Sequence, residues 1–260
     1  MASLQLHSLP PLSSPLRQHR RLSKHNPTRC SINRQALFSR IAPVYDNLND
    51  LLSLGHHRVW KRMAVSWSGA KEGDSVLDVC CGSGDLAFLL SERVGLDGQI
   101  IGLDFAKEQL LVAQSRQHLR SKACYKNIKW IEGNALCLPF PDSYFDAITI
   151  GYGLRNVVDI PKAMEEMCRV LKPGSVLSVL DFNKSSEPLT SLLQEWMIDN
   201  VVVPVASSYG LESEYKYLKS SIKEFRTGKE LEKVALEAGF CSATHYEIGG
   251  GLMGNLVAMR

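Results

Sequence analysis

Acidic residues are missing from the start of the chain. No aspartate or glutamate occurs before Asp46, although the 260 residues contain 27 acids, and the same stretch carries seven bases. Subtracting those seven from the 30 basic residues leaves 23 bases against the 27 acids for the rest of the chain. Because nucleic-acid binding needs clustered cations that release counterions, this mildly acidic body predicts no nucleic-acid partner.

Long apolar runs and paired cysteine motifs are also absent. The longest apolar runs, such as residues 201–206 (VVVPVA), are far shorter than the ~20 residues of a membrane span. Seven cysteines occur without any Cys-x-x-Cys spacing, which excludes a disulfide framework and the usual zinc motifs, so we predict no metal. The apolar share of 45% and the charged share of 22% are typical of a globular protein.

Residues 1–30 have the composition of an organelle leader. They contain five serines, four prolines and five bases. A basic, serine-rich and acid-free start of this kind predicts a transit peptide. Prolines at positions 10, 11 and 15 would break the amphipathic helix of a mitochondrial leader, so we predict the chloroplast, with the mitochondrion as the alternative. A plain unstructured tail is the remaining interpretation.

Strand-like and helix-like segments alternate from Ser75 onward, which predicts a parallel, doubly wound α/β sheet. The predicted strands lie near 75–80, 99–105, 127–133, 144–153, 175–182, 241–247 and 252–258. The predicted helices lie near 84–93, 106–120, 159–171, 187–220 and 229–238, and residues 34–66 predict further helices ahead of the sheet. We therefore divide the chain into a transit peptide (1–30), an N-terminal helical cap (31–74) and one α/β domain (75–260).

The strongest local signal is a strand, loop and helix in residues 76–85 (VLDVCCGSGD). Gly82 and Gly84 allow the backbone to turn tightly and to approach a ligand closely, with Ser83 between them. With Ala87 as a third position, the loop also resembles a dinucleotide fingerprint. An NAD-dependent oxidoreductase is therefore one interpretation of this loop.

Carboxylates around the loop favour a different cofactor. Asp78 precedes the glycines and Asp85 follows them, and two carboxylates there would repel a pyrophosphate. They suit a ligand that is cationic at this point, such as S-adenosylmethionine. Asp104 ends the next predicted strand, where a carboxylate accepts hydrogen bonds from both ribose hydroxyls of either cofactor class.

A polar pair follows the third predicted strand. The Asn134 side chain is placed to bond the adenine edge, and the N–H of Ala135 is placed to bond a ring nitrogen. A simple polar turn is the alternative for this pair. Taken in order, the loop, Asp104 and this pair predict an S-adenosylmethionine site.

These residues resemble class I methyltransferases, and the flanking segments are similar to the ubiquinone/menaquinone biosynthesis C-methyltransferase family. The similar segments are residues 45–60 (YDNLNDLLSLGHHRVW), 151–157 (GYGLRNV), 169–174 (RVLKPG) and 215–225 (YKYLKSSIKEF). The resemblance covers about residues 37–260. It departs at Gly151, where some members carry a serine near the cofactor, and at Asp181 and Asn183, where glutamate and serine are usual.

The resemblance implies a Rossmann-like fold with a seven-stranded, mostly parallel sheet and an N-terminal helical cap. It implies carbon methylation of a prenylated quinol, and the leader favours demethylphylloquinol over a mitochondrial benzoquinol. A non-catalytic partner in a biosynthetic complex is a third interpretation. A lipophilic substrate further implies peripheral membrane contact, for which residues 196–205 are a candidate channel wall, and the family implies a homodimer.

Carbon methylation requires a quinol oxygen that has lost its proton. Arg155 is the candidate that stabilises the phenolate, and Asn156 is the candidate that holds the second ring oxygen; the alternative is that Arg155 only pairs with Asp159 one helical turn later. Three residues of the N-terminal segment complete the predicted catalytic set. Tyr45 contacts the ring, and Asp46 and His57 are candidate proton acceptors; the alternative is that all three only anchor or pack the cap.

Overall fold

The computed structural model describes residues 55–185, 187–208 and 212–260. Their seven strands form one sheet in the order β3-β2-β1-β4-β5-β7-β6, in which β7 is antiparallel to both of its neighbours. The strands are β1 (Ser75–Val79), β2 (Gln99–Asp104), β3 (Ile128–Glu132), β4 (Phe145–Gly151), β5 (Leu171–Phe182), β6 (Ser242–Ile248) and β7 (Met253–Met259). The predicted doubly wound α/β sheet is confirmed.

Helices precede the sheet and connect its strands. They are α1 (His56–Trp67), α2 (Asp85–Val94), α3 (Lys107–His118), α4 (Ile160–Val170), α5 (Pro188–Met197), α6 (Val203–Ser208), α7 (Glu212–Glu224) and α8 (Gly228–Glu237). A π-helical turn, Ile198–Val202, joins α5 to α6, and short 3-10 turns occur at Ala123–Asn127 and Leu154–Asn156. Among the described residues, no helix combines the length and the apolar character that a membrane crossing requires.

Apolar residues of β1 alternate between two core clusters. Leu77 and Val79 belong to the cluster that includes residues of α4 and α8, and Val76 belongs to the cluster that includes residues of α2. Successive side chains of a strand point to opposite faces, so each face of the sheet is covered by its own helices. The strand order reverses between β1 and β4, and ligands of such sheets bind beyond the carboxyl ends of the strands at this point.

Two sequence predictions are wrong in detail. Strand β1 ends at Val79, and Cys80 has a left-handed φ of 54°, so it belongs to the loop and not to the strand. The strand predicted near 175–182 begins earlier, at Leu171, so the Lys-Pro-Gly stretch at 172–174 lies inside β5, where Gly174 has a φ of 78° and the pairing with β4 shifts register. The predicted leader, most of the predicted cap, Tyr45 and Asp46 lie outside the described residues.

Candidate active site

The glycine loop joins β1 to α2 in a backbone shape that needs its glycines. Gly82 has a φ of 52° and Gly84 a φ of 90°, both in the left-handed region. A Cβ atom on Gly84 would lie 2.5 Å from the ring of Trp130, while for one on Gly82 the nearest atom in the described part of the chain is Gln109 Oε1, at 3.8 Å. Gly84 therefore allows α2 to begin against a tryptophan, and Gly82 leaves open space at the bend.

Asp104 lies at the end of β2 and bonds the loop directly. Its Oδ2 accepts a hydrogen bond from the Gly82 N–H at 2.8 Å, and its Oδ1 accepts one from the Ala106 N–H at 2.8 Å. Burial raises the pKa of this carboxyl, against the lowering effect of its backbone bonds. The sequence predicted Asp104 only as a ribose ligand, and the structure adds that it holds the loop in position.

Asp78 has a buried carboxylate oxygen without a hydrogen-bond partner among the described residues. Its Oδ1 accepts a hydrogen bond from Thr149 Oγ1 at 2.8 Å, whereas its Oδ2 has no partner among the described residues. Burial raises the pKa of Asp78 to about 7, although the Thr149 bond opposes this. A cationic ligand would satisfy the second oxygen and stabilise the ionised form. The residues present therefore fit S-adenosylmethionine.

The expectation that the Asp85 carboxylate is available to a cationic cofactor is wrong, because both of its oxygens are in ion pairs. Its Oδ2 lies 2.5 Å from Lys61 Nζ, and its Oδ1 lies 2.5 Å from Arg116 Nη2. Burial acts to raise the pKa of this carboxyl, but the two ion pairs outweigh burial and hold the pKa well below its usual range. Two cations thus bind the carboxylate that was expected to attract a cationic ligand.

Ser83 is also bound by Arg116. The Nη1 atom of Arg116 donates to Ser83 Oγ at 2.7 Å and to the Ser83 carbonyl at 2.9 Å. The guanidinium of α3 thereby holds the loop and the first residue of α2 together. Sequence reasoning missed both Lys61 and Arg116, because each lies in a segment with no motif that marks it.

Asn134 and Ala135 form a turn after β3. Asn134 is exposed, and its Oδ1 accepts a hydrogen bond from the Leu136 N–H at 2.9 Å. The Ala135 side chain is buried in the core. The geometry matches the polar-turn alternative for this pair. The predicted adenine contact stays a prediction.

Gly151 ends β4 against the first helix of the domain. A Cβ atom at this position would lie 2.5 Å from Leu86 Cδ1, so the absence of a side chain allows β4 and α2 to approach closely. This packing explains a glycine where some family members carry a serine. Its predicted cofactor contact stays a prediction.

Arg155 lies in the 3-10 turn after β4 and pairs with Asp181 at the end of β5. Its Nη1 is 2.6 Å from Asp181 Oδ1, its backbone N–H donates to Asp181 Oδ2 at 3.1 Å, and both side chains are 4% exposed. The alternative pairing with Asp159 is wrong, because Asp159 caps α4 by accepting from the Lys162 N–H at 3.0 Å. From the sequence, Asp181 was recognised only as a departure from the family pattern, and its ion pair with Arg155 was not predicted.

Helix α7 packs on the same 3-10 turn. The Tyr217 hydroxyl donates to Asn156 Oδ1 at 3.0 Å, and Arg155 Nε donates to Ser221 Oγ at 3.4 Å. The segment of residues 215–225 was singled out by resemblance alone. The structure shows what it does locally: it holds the side chains of both predicted catalytic residues of the turn.

The cap helix α1 covers this end of the sheet. His57 lies in α1 and is 5% exposed, as expected of a packed cap residue. Lys61, one helical turn later, binds Asp85. Trp60 packs against the buried cluster of Ala64, Leu180 and Met253, as does Phe182 of β5. The structure thus brings α1, the glycine loop and the turn of Arg155 and Asn156 to one edge of the sheet.

The sequence matches the ubiE/COQ5 methyltransferase family over residues 27–260. It is 69% identical over 232 residues to the chloroplastic 2-phytyl-1,4-beta-naphthoquinone methyltransferase of Arabidopsis thaliana, covering 89% of each chain. It is 51% identical over 226 residues to a 2-phytyl-1,4-naphtoquinone methyltransferase of a Nostoc species, covering 87% of this chain and 98% of the relative.

Solved structures share the fold at low sequence identity. A SAM-dependent methyltransferase from Aquifex aeolicus superposes with a TM-score of 0.60 at 21% identity, covering 82% of this chain and 97% of that one. A possible histamine N-methyltransferase from Thermotoga maritima superposes with a TM-score of 0.60 at 18% identity, covering 86% and 98%. These likenesses confirm the class I methyltransferase fold.

Proposed function

The chain belongs to the ubiE/COQ5 methyltransferase family, and on that premise we propose that it methylates a ring carbon of demethylphylloquinol (2-phytyl-1,4-naphthoquinol) in the chloroplast, with S-adenosylmethionine as methyl donor. Family membership confirms the predicted methyltransferase activity and cofactor, so the dinucleotide interpretation of the glycine loop is wrong. The substrate rests on one observation above all, the 69% identity with the chloroplastic naphthoquinone methyltransferase over 89% of both chains.

The alternatives that the sequence left open agree less well with the relatives and with the glycine loop. A mitochondrial benzoquinol methyltransferase would share the chemistry, but the plant and cyanobacterial relatives are both named for a phytylated naphthoquinone. The acid-free, proline-containing leader and the chloroplastic relative agree on the compartment. A non-catalytic role is opposed by the glycine loop, which has both its glycines and the Asp104 bond that positions them.

The cofactor would be held along the carboxyl ends of β1 to β4. The proposed contacts are Asp78, Gly82, Ser83, Gly84, Asp104, Asn134, Ala135 and Gly151. Bound S-adenosylmethionine supplies a methyl group activated by a sulfonium. Asp78 would accept a hydrogen bond from the cationic part of the ligand through Oδ2, the oxygen without a partner among the described residues, and Asp104 would bind the ribose while holding Gly82.

Arg155 and Asn156 are the proposed contacts of the two quinol oxygens. A guanidinium is always protonated, so it stabilises a phenolate and does not act as a base. The Asp181 carboxylate and the Ser221 hydroxyl orient Arg155, and Tyr217 orients Asn156. Because the Arg155 side chain is almost fully buried, water screens its charge little.

The proton acceptor and the ring contact from the N-terminal segment stay predictions. Asp46 and Tyr45 lie outside the described residues. His57 is buried on α1, the helix whose Lys61 binds the start of α2. Its place beside the site is compatible with accepting a proton and equally with packing the cap.

Peripheral membrane contact is part of the proposal, because a phytyl chain partitions into a bilayer. Exposed apolar side chains on α5 and the following π turn support it: in α5, Leu192 is 67% exposed and Trp196 is 57% exposed, and in the π turn Val201 is 41% exposed. We expect the protein to bind vesicles and to be released from membranes by carbonate washing. Homodimer formation stays a prediction from the family.

A labelled-methyl assay tests the proposed function. The purified chain is supplied with methyl-labelled S-adenosylmethionine and with chemically reduced 2-phytyl-1,4-naphthoquinone or a reduced, demethylated prenyl benzoquinone, side by side. We expect label in the naphthoquinol product and a higher kcat/KM for that substrate. Preference for the benzoquinol would overturn the substrate assignment, and a reporter fused to residues 1–45 that stays outside chloroplasts would overturn the compartment.

A further inference from the structure

Tyr152 has a backbone conformation that a tyrosine adopts at a cost. It is the first residue after β4, and its φ is 59°. The left-handed region is strained for a residue with a Cβ atom, and glycine or asparagine adopts it more readily. Strained residues that persist in a fold cluster at functional sites. The strained backbone of Tyr152 therefore points to a function for its side chain.

The backbone of Tyr152 is held from three directions. Its N–H donates to the Leu180 carbonyl at 2.7 Å. Its carbonyl accepts hydrogen bonds from Arg155 Nη1 at 2.6 Å and from Asn156 Nδ2 at 3.3 Å. These bonds maintain the left-handed conformation and orient the two proposed quinol contacts. Any residue supplies the same backbone atoms, so the bonds do not explain why the side chain is a tyrosine.

The ring of Tyr152 belongs to an aromatic wall at the carboxyl ends of β4 and β5. We define this wall as Trp60, Tyr152 and Phe182, three partly buried rings that pack beside the buried side chains of Ala64, Leu180 and Met253. The Tyr152 and Phe182 rings are 5.8 Å apart and nearly perpendicular. Lys61 Nζ lies 5.7 Å from the Tyr152 ring centroid, so a cation of α1 also faces this ring.

The wall borders the turn that carries the two proposed quinol contacts, Arg155 and Asn156. Tyr152 follows β4 at the reversal of strand order, and Arg155 and Asn156, which would contact the quinol oxygens, bond its carbonyl. Aromatic rings bind one another through offset or edge-to-face contacts. We propose that the side chain of Tyr152 packs against the bicyclic ring of the quinol and is a determinant of quinol affinity. This inference rests on the proposed function and adds a substrate-contacting residue to it.

A substitution that keeps the backbone and removes the ring tests this proposal. Asparagine tolerates the left-handed region, so Tyr152→Asn should leave the bonds to Leu180, Arg155 and Asn156 in place. Tyr152→Phe keeps the ring and removes the hydroxyl. Tyr246→Asn is the matched control, since Tyr246 also contacts an aromatic ring, that of Trp67 at 5.1 Å, but lies 46% exposed in the edge strand β6.

Each variant of the full chain is measured in four ways. These are the KM for reduced 2-phytyl-1,4-naphthoquinone, the affinity for the oxidised quinone from quenching of tryptophan fluorescence, the Kd for S-adenosylhomocysteine, and the melting temperature. In Tyr152→Asn we expect the quinol KM and the quinone Kd to rise about tenfold, as loss of an aromatic contact predicts. The S-adenosylhomocysteine Kd should stay at the wild-type value, whereas the melting temperature should fall because the ring also packs against Phe182 and faces Lys61. Binding is therefore measured well below the melting temperature of each variant, and Tyr152→Phe and the control should bind quinone normally.

Unchanged quinone affinity in Tyr152→Asn would overturn the inference, as would a loss of S-adenosylhomocysteine affinity as large as the loss of quinone affinity. The quenching measurement also separates the two proposals. A wild-type chain that binds the quinone but does not methylate the quinol contradicts the proposed function, while the Tyr152 inference is still decided by the variants. A wild-type chain that does not bind the quinone overturns both.

Discussion

The guanidinium of Arg155 and the carboxylate of Asp181 form a buried ion pair, with Nη1 and Oδ1 2.6 Å apart and each side chain 4% exposed. The pair joins the turn after β4 to the end of β5. The Phe182 ring, 5.0 Å from the guanidinium carbon, adds a cation–π contact. Arg155, which is proposed to contact the quinol, therefore also connects β4 to β5 and stabilises the fold.

Removing one member of this pair should destabilise the protein. Arg155→Met leaves the Asp181 carboxylate buried without its cation, and the free energy of unfolding should fall by about 3–5 kcal/mol. The double variant Arg155→Met/Asp181→Leu should recover most of that loss, because no charge is left unpaired. Urea unfolding measures both. If Arg155→Met were as stable as the wild type, the buried pair would be contradicted. The effect on kcat is measured with Arg155→Lys, because this variant keeps the positive charge.

Asp78 should make stability fall as pH rises. The unfolded carboxyl ionises near pH 4, and the folded one, with a pKa of about 7, keeps its proton longer. Between these values the folded state binds more protons, so the free energy of unfolding of the ligand-free protein decreases as pH rises from about 4 to about 7. Urea unfolding as a function of pH measures this slope. In Asp78→Asn the free energy of unfolding should depend less on pH. An unchanged dependence would mean that other titratable groups cause it.

Cofactor binding should release a proton near neutral pH. A cationic ligand at Asp78 Oδ2 favours the carboxylate, so S-adenosylmethionine should bind more tightly as pH rises toward about 7. Titration calorimetry in two buffers of different ionisation enthalpy counts the protons. Proton release that persists unchanged in Asp78→Asn would show that another group is responsible.

Two glycines with similar backbone angles should respond differently to alanine. At Gly84 the φ is 90° and the Trp130 ring lies 2.5 Å from the place of a Cβ atom. At Gly73 the φ is 83° and no atom of the described residues lies within 4 Å of that place. Gly73→Ala should cost only the strain of the left-handed region, about 1–2 kcal/mol. Gly84→Ala should cost more and should also weaken S-adenosylhomocysteine binding. Melting curves and calorimetry measure both effects; equal losses would mean that the Trp130 contact is unimportant.

Lys61→Met should loosen the cap helix from the cofactor loop. The Asp85 carboxylate would keep Arg116 and lose Lys61, so a loss of about 1–3 kcal/mol is expected, below that of a fully broken buried pair. S-adenosylhomocysteine should bind more weakly. Lys162→Met is the control, because its pair with Glu165 is about half exposed and worth at most ~1 kcal/mol. Equal stability losses in the two variants would refute a specific role for Lys61.

Local sequence features predicted the fold and the centre of the site. The alternation of strand and helix patterns gave the doubly wound sheet, and Gly82 and Gly84 marked the loop because few other residues adopt their backbone angles. The polar turn at Asn134 was likewise among the predicted alternatives, since its hydrogen bond spans only two residues.

The partners of the charged side chains follow from the folded arrangement and not from local sequence. Asp85 binds Lys61, 24 residues earlier, and Arg116, 31 residues later, while Arg155 binds Asp181 and not its helical neighbour Asp159. The aromatic wall joins α1, β4 and β5 in the same way. Local sequence patterns were enough to find most strands and helices and the glycine loop. Strand order and register determined the neighbours of each side chain, and these depend on contacts between distant segments that no local periodicity encodes.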